Sequence, residues 1–183
     1  MPEVVFLTGA PGSGKSTLAR LLAESRPLAL VLDLDVLRGQ LGGWRADPAA
    51  AGARARRIGL AAAEAQLEAG GDVLVPQFVR RPQLVGQFRE LAARTGSRFV
   101  LVALVSSPGE AARRFDDRSG STDPAHRDAA FLQETPGADG VAELYSAMLE
   151  MLAGFPETRY VESVPGDVPT TLAALRAQLS EGS

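Results

Sequence analysis

Residues 9 to 17 read GAPGSGKST, and this stretch decides how the rest of the chain is interpreted. Gly9, Gly14, Lys15 and Ser16 stand at the spacing G-x-x-x-x-G-K-[ST], in which glycines let backbone N–H groups converge on phosphate oxygens. The apolar run EVVFLT before the stretch predicts a buried strand, and the leucines of STLARLLAE after it repeat at helical spacing. A glycine-rich turn between a strand and a helix therefore predicts a phosphate-binding loop at the helix N-terminus.

Lys15 is the only lysine of the chain, and arginine occupies every other strongly basic position. A compact ammonium on a flexible stem can enter a ring of backbone amides that is too narrow for a planar guanidinium. We therefore expect Lys15 to contact the β- and γ-phosphates of ATP or GTP, and the Ser16 hydroxyl to coordinate Mg²⁺. The predicted nucleotide-binding residues form one continuous loop: Gly9, Ala10, Pro11, Gly12, Ser13, Gly14, Lys15, Ser16 and Thr17.

Composition narrows the possible classes of protein. The 183 residues have the length of one domain, and without a long linker or repeat we expect 1–183 to form a single domain. The longest apolar run, FVLVALV at 99–105, is too short to span a bilayer, and no signal peptide is visible, so the cytoplasm is the expected location. With no cysteine and one histidine, a metal ion must be held by oxygen. The net charge of -3 does not favour nucleic acid as a partner, although it does not exclude it.

Apolar runs alternate with helical patterns along the rest of the chain. A loop rich in Gly, Ala and Pro is expected to run to about Gly52, followed by a long alanine-rich helix to about Ala69 that Gly70 caps. Because the runs are continuously apolar, we expect strands buried on both faces and joined by helical crossovers in a parallel sheet. The predicted strands after the first are LALVLDLD (28–35), DVLVP (72–76), SRFVLVALV (97–105) and TRYVESV (158–164).

The loop, the segment VLDLDVLRGQ (31–40) and the segment RRFDDRSG (113–120) together resemble the P-loop kinases. That family includes nucleoside monophosphate kinases, gluconate and shikimate kinases, zeta-type toxins and polynucleotide 5′-kinases. The resemblance implies an α/β fold, the P-loop NTPase three-layer sandwich, with a five-stranded parallel sheet of order 2-3-1-4-5 and helices on both faces. It also implies ATP as phosphoryl donor and a small helical lid at about residues 113–128.

Asp35 is expected at the carboxyl end of the second strand, where open α/β sheets bind their ligands. A carboxylate there can accept the proton of an attacking hydroxyl, and Arg38, one helical turn on, could grip an anionic acceptor. The D-x-x-R spacing resembles polynucleotide 5′-kinases, where these positions serve as general base and substrate clamp. Asp33 is expected on the same strand face and could be an outer ligand of Mg²⁺ or the base itself. Alternatively, both acids only cap the following helix.

Arg114 and Arg118 are four residues apart on a predicted helix and therefore point the same way. The family resemblance implies that such a pair lies on the lid and neutralises charge on the transferred phosphoryl group. The alternative is a surface helix on which these arginines pair with Asp116, Asp117 or Glu110.

The chain departs from the family pattern after the third strand, where many members have an acid and this sequence has Gln77. Gln77 could bind the acceptor or position water, or it could be an ordinary satisfied amide at a strand end. Trp44, the only tryptophan, could stack on a planar acceptor, and the alternative is packing in the core.

These features predict an ATP-dependent kinase that phosphorylates a hydroxyl of a small-molecule acceptor, such as a metabolite, nucleoside or antibiotic. Three alternatives remain: a polynucleotide 5′-hydroxyl kinase, a zeta-type toxin acting on a sugar nucleotide, and a regulatory ATPase without a phosphoryl acceptor. The sequence leaves the acceptor, the choice between ATP and GTP, and the oligomeric state open.

Overall fold

Five parallel strands form the centre of the fold in a computed structural model that describes residues 1–106, 137–164 and 166–180. Their order in the sheet is β2-β3-β1-β4-β5, which confirms the predicted order 2-3-1-4-5. The strands are β1 (Glu3–Gly9), β2 (Leu30–Val31), β3 (Val73–Pro76), β4 (Arg98–Val105) and β5 (Arg159–Glu162).

Helices cover both faces of the sheet. They are α1 (Lys15–Ala23), α2 (Leu34–Gly39), α3 (Pro48–Glu68), α4 (Pro82–Arg94), α5 (Gly137–Leu152) and α6 (Val168–Ser180). Successive residues of a strand point to opposite faces, so Val4 and Phe6 of β1 face a core that α3, α4 and α5 cover, whereas Val5 and Leu7 face a core that α1 and α6 cover. This burial on both faces explains why the strands are continuous apolar runs in the sequence.

The second strand is shorter than predicted. It covers Leu30–Val31, and α2 already begins at Leu34. Asp33 ends the extended segment because its Oδ1 accepts hydrogen bonds from the backbone N–H groups of Asp35, at 3.1 Å, and Val36, at 3.3 Å. The prediction that Asp33 and Asp35 share one strand face is therefore wrong: Asp33 is the N-cap of a helix, and Asp35 lies in its first turn.

Helix α3 begins at Pro48, earlier than the predicted start after Gly52. Asp47 caps it by accepting a hydrogen bond from the N–H of Ala50 at 2.9 Å, and Pro48 occupies the first helical position, where its missing N–H costs nothing. The predicted end of this helix is confirmed, since Gly70 follows its C-cap with φ of +86°.

Three other predictions have simpler outcomes. No helix in the described parts of the chain is long and apolar enough to cross a membrane. The predicted lid at about 113–128 lies outside the described residues. The expectation that 1–183 form a single domain stays a prediction.

Candidate active site

The glycine-rich loop joins β1 to α1 at the carboxyl edge of the sheet. Gly12 and Gly14 have φ of +86° and +89°, a left-handed conformation that residues with a Cβ rarely adopt. At Gly9 the restriction is steric, because a Cβ there would lie 2.7 Å from Ser13 Oγ and 2.9 Å from the carbonyl oxygen of Leu104. The glycines of the motif are therefore required by the shape of the loop itself.

Lys15 lies folded into this loop and is only 9% exposed. Its Nζ donates hydrogen bonds to the carbonyl oxygens of Gly9, at 2.9 Å, and Ala10, at 2.8 Å. Ser163 directly follows the edge strand β5. Its Oγ donates to the carbonyl oxygen of Ser13 at 3.2 Å and so links the loop to that edge of the sheet. The ammonium charge is thus concentrated where α1 begins, which is a site suited to anions.

Ser16 and Asp33 bring two oxygen groups together at the start of α1 and α2. Ser16 Oγ donates to Asp33 Oδ2 at 3.0 Å, while Asp33 Oδ1 caps α2. A hydroxyl and a carboxylate are hard oxygen ligands, which Mg²⁺ prefers, and Mg²⁺ typically completes its shell with phosphate oxygens and water. In the described segments no group of three or more His, Cys, Asp or Glu could hold a metal alone. The donor set therefore fits a metal ion that arrives with a nucleotide.

Asp35, Arg38 and Gln77 form a second cluster, which we call the acidic cluster. Arg38 Nη1 lies 3.0 Å from Asp35 Oδ1, and Gln77 Nε2 donates to Asp35 Oδ2 at 3.2 Å. The side chain of Arg38 is 12% exposed, whereas that of Asp35 is 40% exposed. Gln77 is held at the strand end because its backbone N–H donates to the carbonyl oxygen of Leu7 at 3.0 Å. Arg38 and Gln77, two of the four residues predicted to bind the acceptor, therefore both contact a third, Asp35.

Trp44 lies beside this cluster in a short 3-10 helix, Trp44–Ala46. It is 7% exposed, and the guanidinium carbons of Arg38 and Arg45 lie 5.3 Å and 4.8 Å from its ring centroid. Both distances are within the range of cation–π attraction. The observed contacts make Trp44 a support for Arg38, and its predicted stacking on an acceptor stays a prediction.

The acidic cluster contains unsatisfied polar atoms. Across the described residues, the buried side-chain N and O atoms without a hydrogen-bond partner are Arg38 Nε, Arg38 Nη2 and Gln77 Oε1. Buried polar groups are nearly always paired, so three unpaired atoms on two neighbouring side chains need an explanation.

Gly59 of α3 contributes to the position of this cluster, and sequence analysis missed it. A Cβ at Gly59 would lie 2.4 Å from Cδ2 of Leu34, the first residue of α2. The glycine therefore lets α3 pack closely against the helix that carries Asp35 and Arg38. A weak signal was present, because glycine inside a helix costs about 1 kcal/mol relative to alanine and therefore invites a search for a close contact.

The predicted lid arginines, Arg114 and Arg118, lie outside the described residues, so their roles stay predictions.

Comparison with known proteins supports the fold independently. A profile of a protein family described as an AAA domain matches residues 4–135. No match was found among curated protein sequences.

Solved structures share the architecture over nearly their whole length. A gluconokinase from Sinorhizobium meliloti 1021 is 22% identical with a TM-score of 0.60, covering 98% of this chain and 94% of that chain. A shikimate kinase from Bacteroides thetaiotaomicron is 20% identical with a TM-score of 0.64, and the match covers 97% of this chain and 98% of that chain. A tunicamycin resistance protein from Deinococcus radiodurans is 13% identical with a TM-score of 0.60, and the match covers 98% of this chain and 96% of that chain. These likenesses establish the fold and confirm the resemblance to P-loop kinases. Because the family profile covers more than half of the 183 residues, the chain belongs to this family of P-loop AAA domains.

Proposed function

We propose that the protein transfers the γ-phosphoryl group of ATP, bound with Mg²⁺, to a hydroxyl of a small-molecule acceptor. The observation that carries the proposal is the acidic cluster beside the phosphate-binding loop. A protein that only bound or hydrolysed a nucleotide would not need a carboxylate, a guanidinium and an amide in this arrangement, with unpaired polar atoms among them.

On the donor side, the loop amides, the start of α1 and the Lys15 ammonium bind the β- and γ-phosphates. Ser16 and Asp33 would hold Mg²⁺, which when bound neutralises part of the phosphate charge. Lys15 has to leave the loop carbonyls of Gly9 and Ala10 to meet the phosphates, a change that its flexible stem allows.

Asp35 suits the role of general base better than Asp33 does. Asp33 is held on the donor side, since one of its oxygens caps α2 and the other accepts a hydrogen bond from Ser16. The oxygens of Asp35 contact Arg38 and Gln77 instead, on the acceptor side. Asp35 is 40% exposed, so an acceptor hydroxyl can reach it. The hydroxyl gives its proton to Asp35 as its oxygen attacks the γ-phosphorus, and ADP leaves. Arg114 and Arg118 are proposed to neutralise the developing charge from the lid.

Arg38 favours an acceptor that carries an anionic group. It uses Nη1 for Asp35, and its two unpaired atoms, Nε and Nη2, lie on one edge of the planar guanidinium. Two parallel N–H donors on one edge match the paired oxygens of a carboxylate or phosphate. Two of the structural relatives are named a gluconokinase and a shikimate kinase, but at 22% and 20% identity they share the fold and do not identify the acceptor here.

The proposal is tested by ³¹P NMR of ATP and Mg²⁺ mixed with a panel of acceptors. The panel contains sugar acids and other hydroxy acids, sugar phosphates, nucleosides, a sugar nucleotide, tunicamycin and a 5′-hydroxyl oligonucleotide. We expect a new phosphomonoester signal with at least one small molecule, and its loss in Lys15→Ala and Asp35→Asn.

Removal of a general base typically costs about 10² to 10⁴ in rate, and removal of one preorganised phosphate donor about 10² to 10³. Glu157→Gln serves as the control, because Glu157 forms a surface ion pair with Arg89 away from the loop. ATP hydrolysis that no panel member stimulates would contradict the proposal and favour a regulatory ATPase, whereas full transfer by Asp35→Asn would refute the assigned base.

A further inference from the structure

Gln77 is the feature of the acidic cluster that phosphoryl transfer by itself does not explain. Its position follows β3 directly, and the backbone hydrogen bond to Leu7 holds it there. The orientation of its amide is determined by chemistry, because the Asp35 carboxylate can only accept hydrogen bonds. Nε2 must therefore face Asp35, as observed at 3.2 Å, and Oε1 must point to the other side of the amide.

That second side has no partner in the described parts of the chain. Gln77 Oε1 is buried and receives no hydrogen bond. Burial without a partner costs a polar atom its hydration, so the position of Oε1 needs an explanation, and a ligand that supplies the missing bond provides one. An amide oxygen is an acceptor, and its missing partner is therefore an O–H or N–H group.

The unpaired donors and acceptor of the cluster indicate which groups a bound molecule would need. Arg38 offers two parallel donors, and Gln77 offers one acceptor on the same cluster. A molecule that pairs with all of them carries an oxoanion and, separately, a donor group. The hydroxyl to be phosphorylated is already assigned to Asp35, so the donor for Gln77 is an additional one.

The absence of charge on Gln77 has a reason in the same geometry. A glutamate at this position would place a second carboxylate against Asp35, at the 3.2 Å contact that the amide now makes. Two adjacent carboxylates repel each other, and neither could donate a hydrogen bond to the other. The amide instead fixes the carboxylate by donating to it and leaves it free to act as a base.

We propose that Gln77 is both a positioning residue and a specificity determinant: its Nε2 orients Asp35, and its Oε1 selects acceptors with a second hydroxyl or N–H group. The acceptor class is then a polyhydroxylated carboxylic acid or phosphate ester. This inference rests on the proposed kinase function and narrows it.

The test compares matched pairs of probes that differ only in the additional hydroxyl groups. The pairs are D-glycerate with 3-hydroxypropionate, D-gluconate with 6-hydroxyhexanoate, and glycerol 3-phosphate with 3-hydroxypropyl phosphate. Each probe is measured twice: by product formation with ATP and Mg²⁺, and by fluorescence titration with a non-hydrolysable ATP analogue. The fluorescence comes from the only tryptophan, Trp44, which contacts Arg38 and therefore responds to an anion bound there.

The wild-type protein is expected to prefer the polyhydroxylated member of at least one pair by about tenfold in kcat/KM, because an unmade bond to a buried polar group typically costs about that much. Gln77→Leu removes both roles, so the preference disappears and kcat falls. Gln77→Glu keeps an oxygen acceptor but loses the donor to Asp35, so the preference persists while kcat falls. Gln87→Leu, the same change at an exposed position of α4, leaves preference and kcat unchanged.

Two results would overturn the inference: equal use of both members of every pair by the wild-type protein, or an unchanged preference in Gln77→Leu. If Gln77→Leu does not fold by circular dichroism, Gln77→Glu still decides, because loss of its preference with retained kcat contradicts both assigned roles. Failure of the kinase proposal looks different. A protein that phosphorylates only neutral or singly hydroxylated acceptors is a kinase without this selectivity, whereas one that phosphorylates no acceptor refutes both proposals.

Discussion

Ionic clusters lie at both ends of the β-sheet. We call the amino end closed, because its charged groups pair with one another, and the carboxyl end open. At the amino end, Arg26 Nη1 lies 2.7 Å from Glu3 Oε2 and 2.7 Å from Asp72 Oδ2, and Arg98 Nη1 lies 2.9 Å from Glu3 Oε1. The backbone N–H of Glu3 also donates to Asp72 Oδ1 at 2.9 Å. At the carboxyl end, the acidic cluster has one ion pair, and three of its buried atoms have no hydrogen-bond partner among the residues that the structure describes.

The protonation of Arg26 illustrates the closed end. Burial acts to lower the pKa of the Arg26 guanidinium, but hydrogen bonds and attraction from Glu3 and Asp72 outweigh it and raise the pKa above its ordinary value. The charge is therefore permanent, and its bonds are made within the protein. A charged cluster is therefore structural where its members form hydrogen bonds and ion pairs with one another, and it is a candidate binding site where they do not.

Arg38→Met tests the cluster at the open end. Among the substitutions that compare the two ends, it should have the largest effect on kcat/KM. We expect kcat/KM for the acceptor found by ³¹P NMR to fall by about 10²-fold, because two charge-assisted hydrogen bonds to its anionic group are lost. The free energy of unfolding should change by less than about 1 kcal/mol, because the substitution also removes two buried donors that have no partner within the described part of the chain.

Urea unfolding and steady-state kinetics on the same preparation check both parts. Asp35 keeps its bond from Gln77 and its exposure to water, so it tolerates the loss of the arginine. Destabilisation by several kcal/mol with unchanged kcat/KM would show that Arg38 is structural and that the comparison fails.

Arg26→Met is the matched substitution at the closed end. We expect it to lower the free energy of unfolding by about 2 kcal/mol, because it removes the arginine that pairs with Asp72 and one of the two arginines that pair with Glu3. The side chains are 13% to 23% exposed, which keeps the cost below that of a fully buried pair. For a chain of this length the melting temperature should fall by about 4 to 8 °C.

Activity per folded molecule should remain unchanged in Arg26→Met, as measured below the melting transition. A loss of kcat/KM comparable with that of Arg38→Met would mean that the amino end is coupled to the site and that the two clusters are not independent.

Much of this arrangement could be predicted from the sequence, because its signals are local. Apolar runs identified the strands, and the G-x-x-x-x-G-K-[ST] motif identified the candidate phosphate-binding loop, because the backbone conformation at Gly14 and the close contacts at Gly9 require glycine. The start of α3 was also readable, because Asp47 and Pro48 form a cap and first residue. The alanines and glycines that follow obscured it, since their pattern carries no helical period.

Other features could not be predicted, because they depend on tertiary contacts. Whether Asp33 continues a strand or caps a helix is decided by the N–H groups of α2, which bind its Oδ1, and by the hydroxyl of Ser16, which binds its Oδ2. The contact between Gln77 and Asp35 joins residues 42 positions apart. Both residues were candidates for acceptor binding, but only the geometry distinguishes a satisfied amide from one with an unpaired oxygen.

Gly59→Ala should have the smallest effect, and it tests how the open end is held in place. Gly52, also in α3, is the control, because a Cβ there would meet no atom within 4 Å. Gly52→Ala should raise the free energy of unfolding by up to about 1 kcal/mol, the usual gain from replacing glycine in a helix. At Gly59 the new methyl would lie 2.4 Å from Leu34 Cδ2, so this gain is cancelled or reversed by strain.

The decisive measurement is acceptor KM, because Leu34 begins the helix that carries Asp35 and Arg38. Displacement of α2 by the methyl group should raise acceptor KM in Gly59→Ala, while the KM for ATP, whose binding we assign to the loop before α1, stays constant. Gly52→Ala should leave both constants unchanged. Equal behaviour of the two variants would mean that Leu34 absorbs the methyl group by turning its side chain, and that close packing of α3 on α2 is not what positions the acidic cluster.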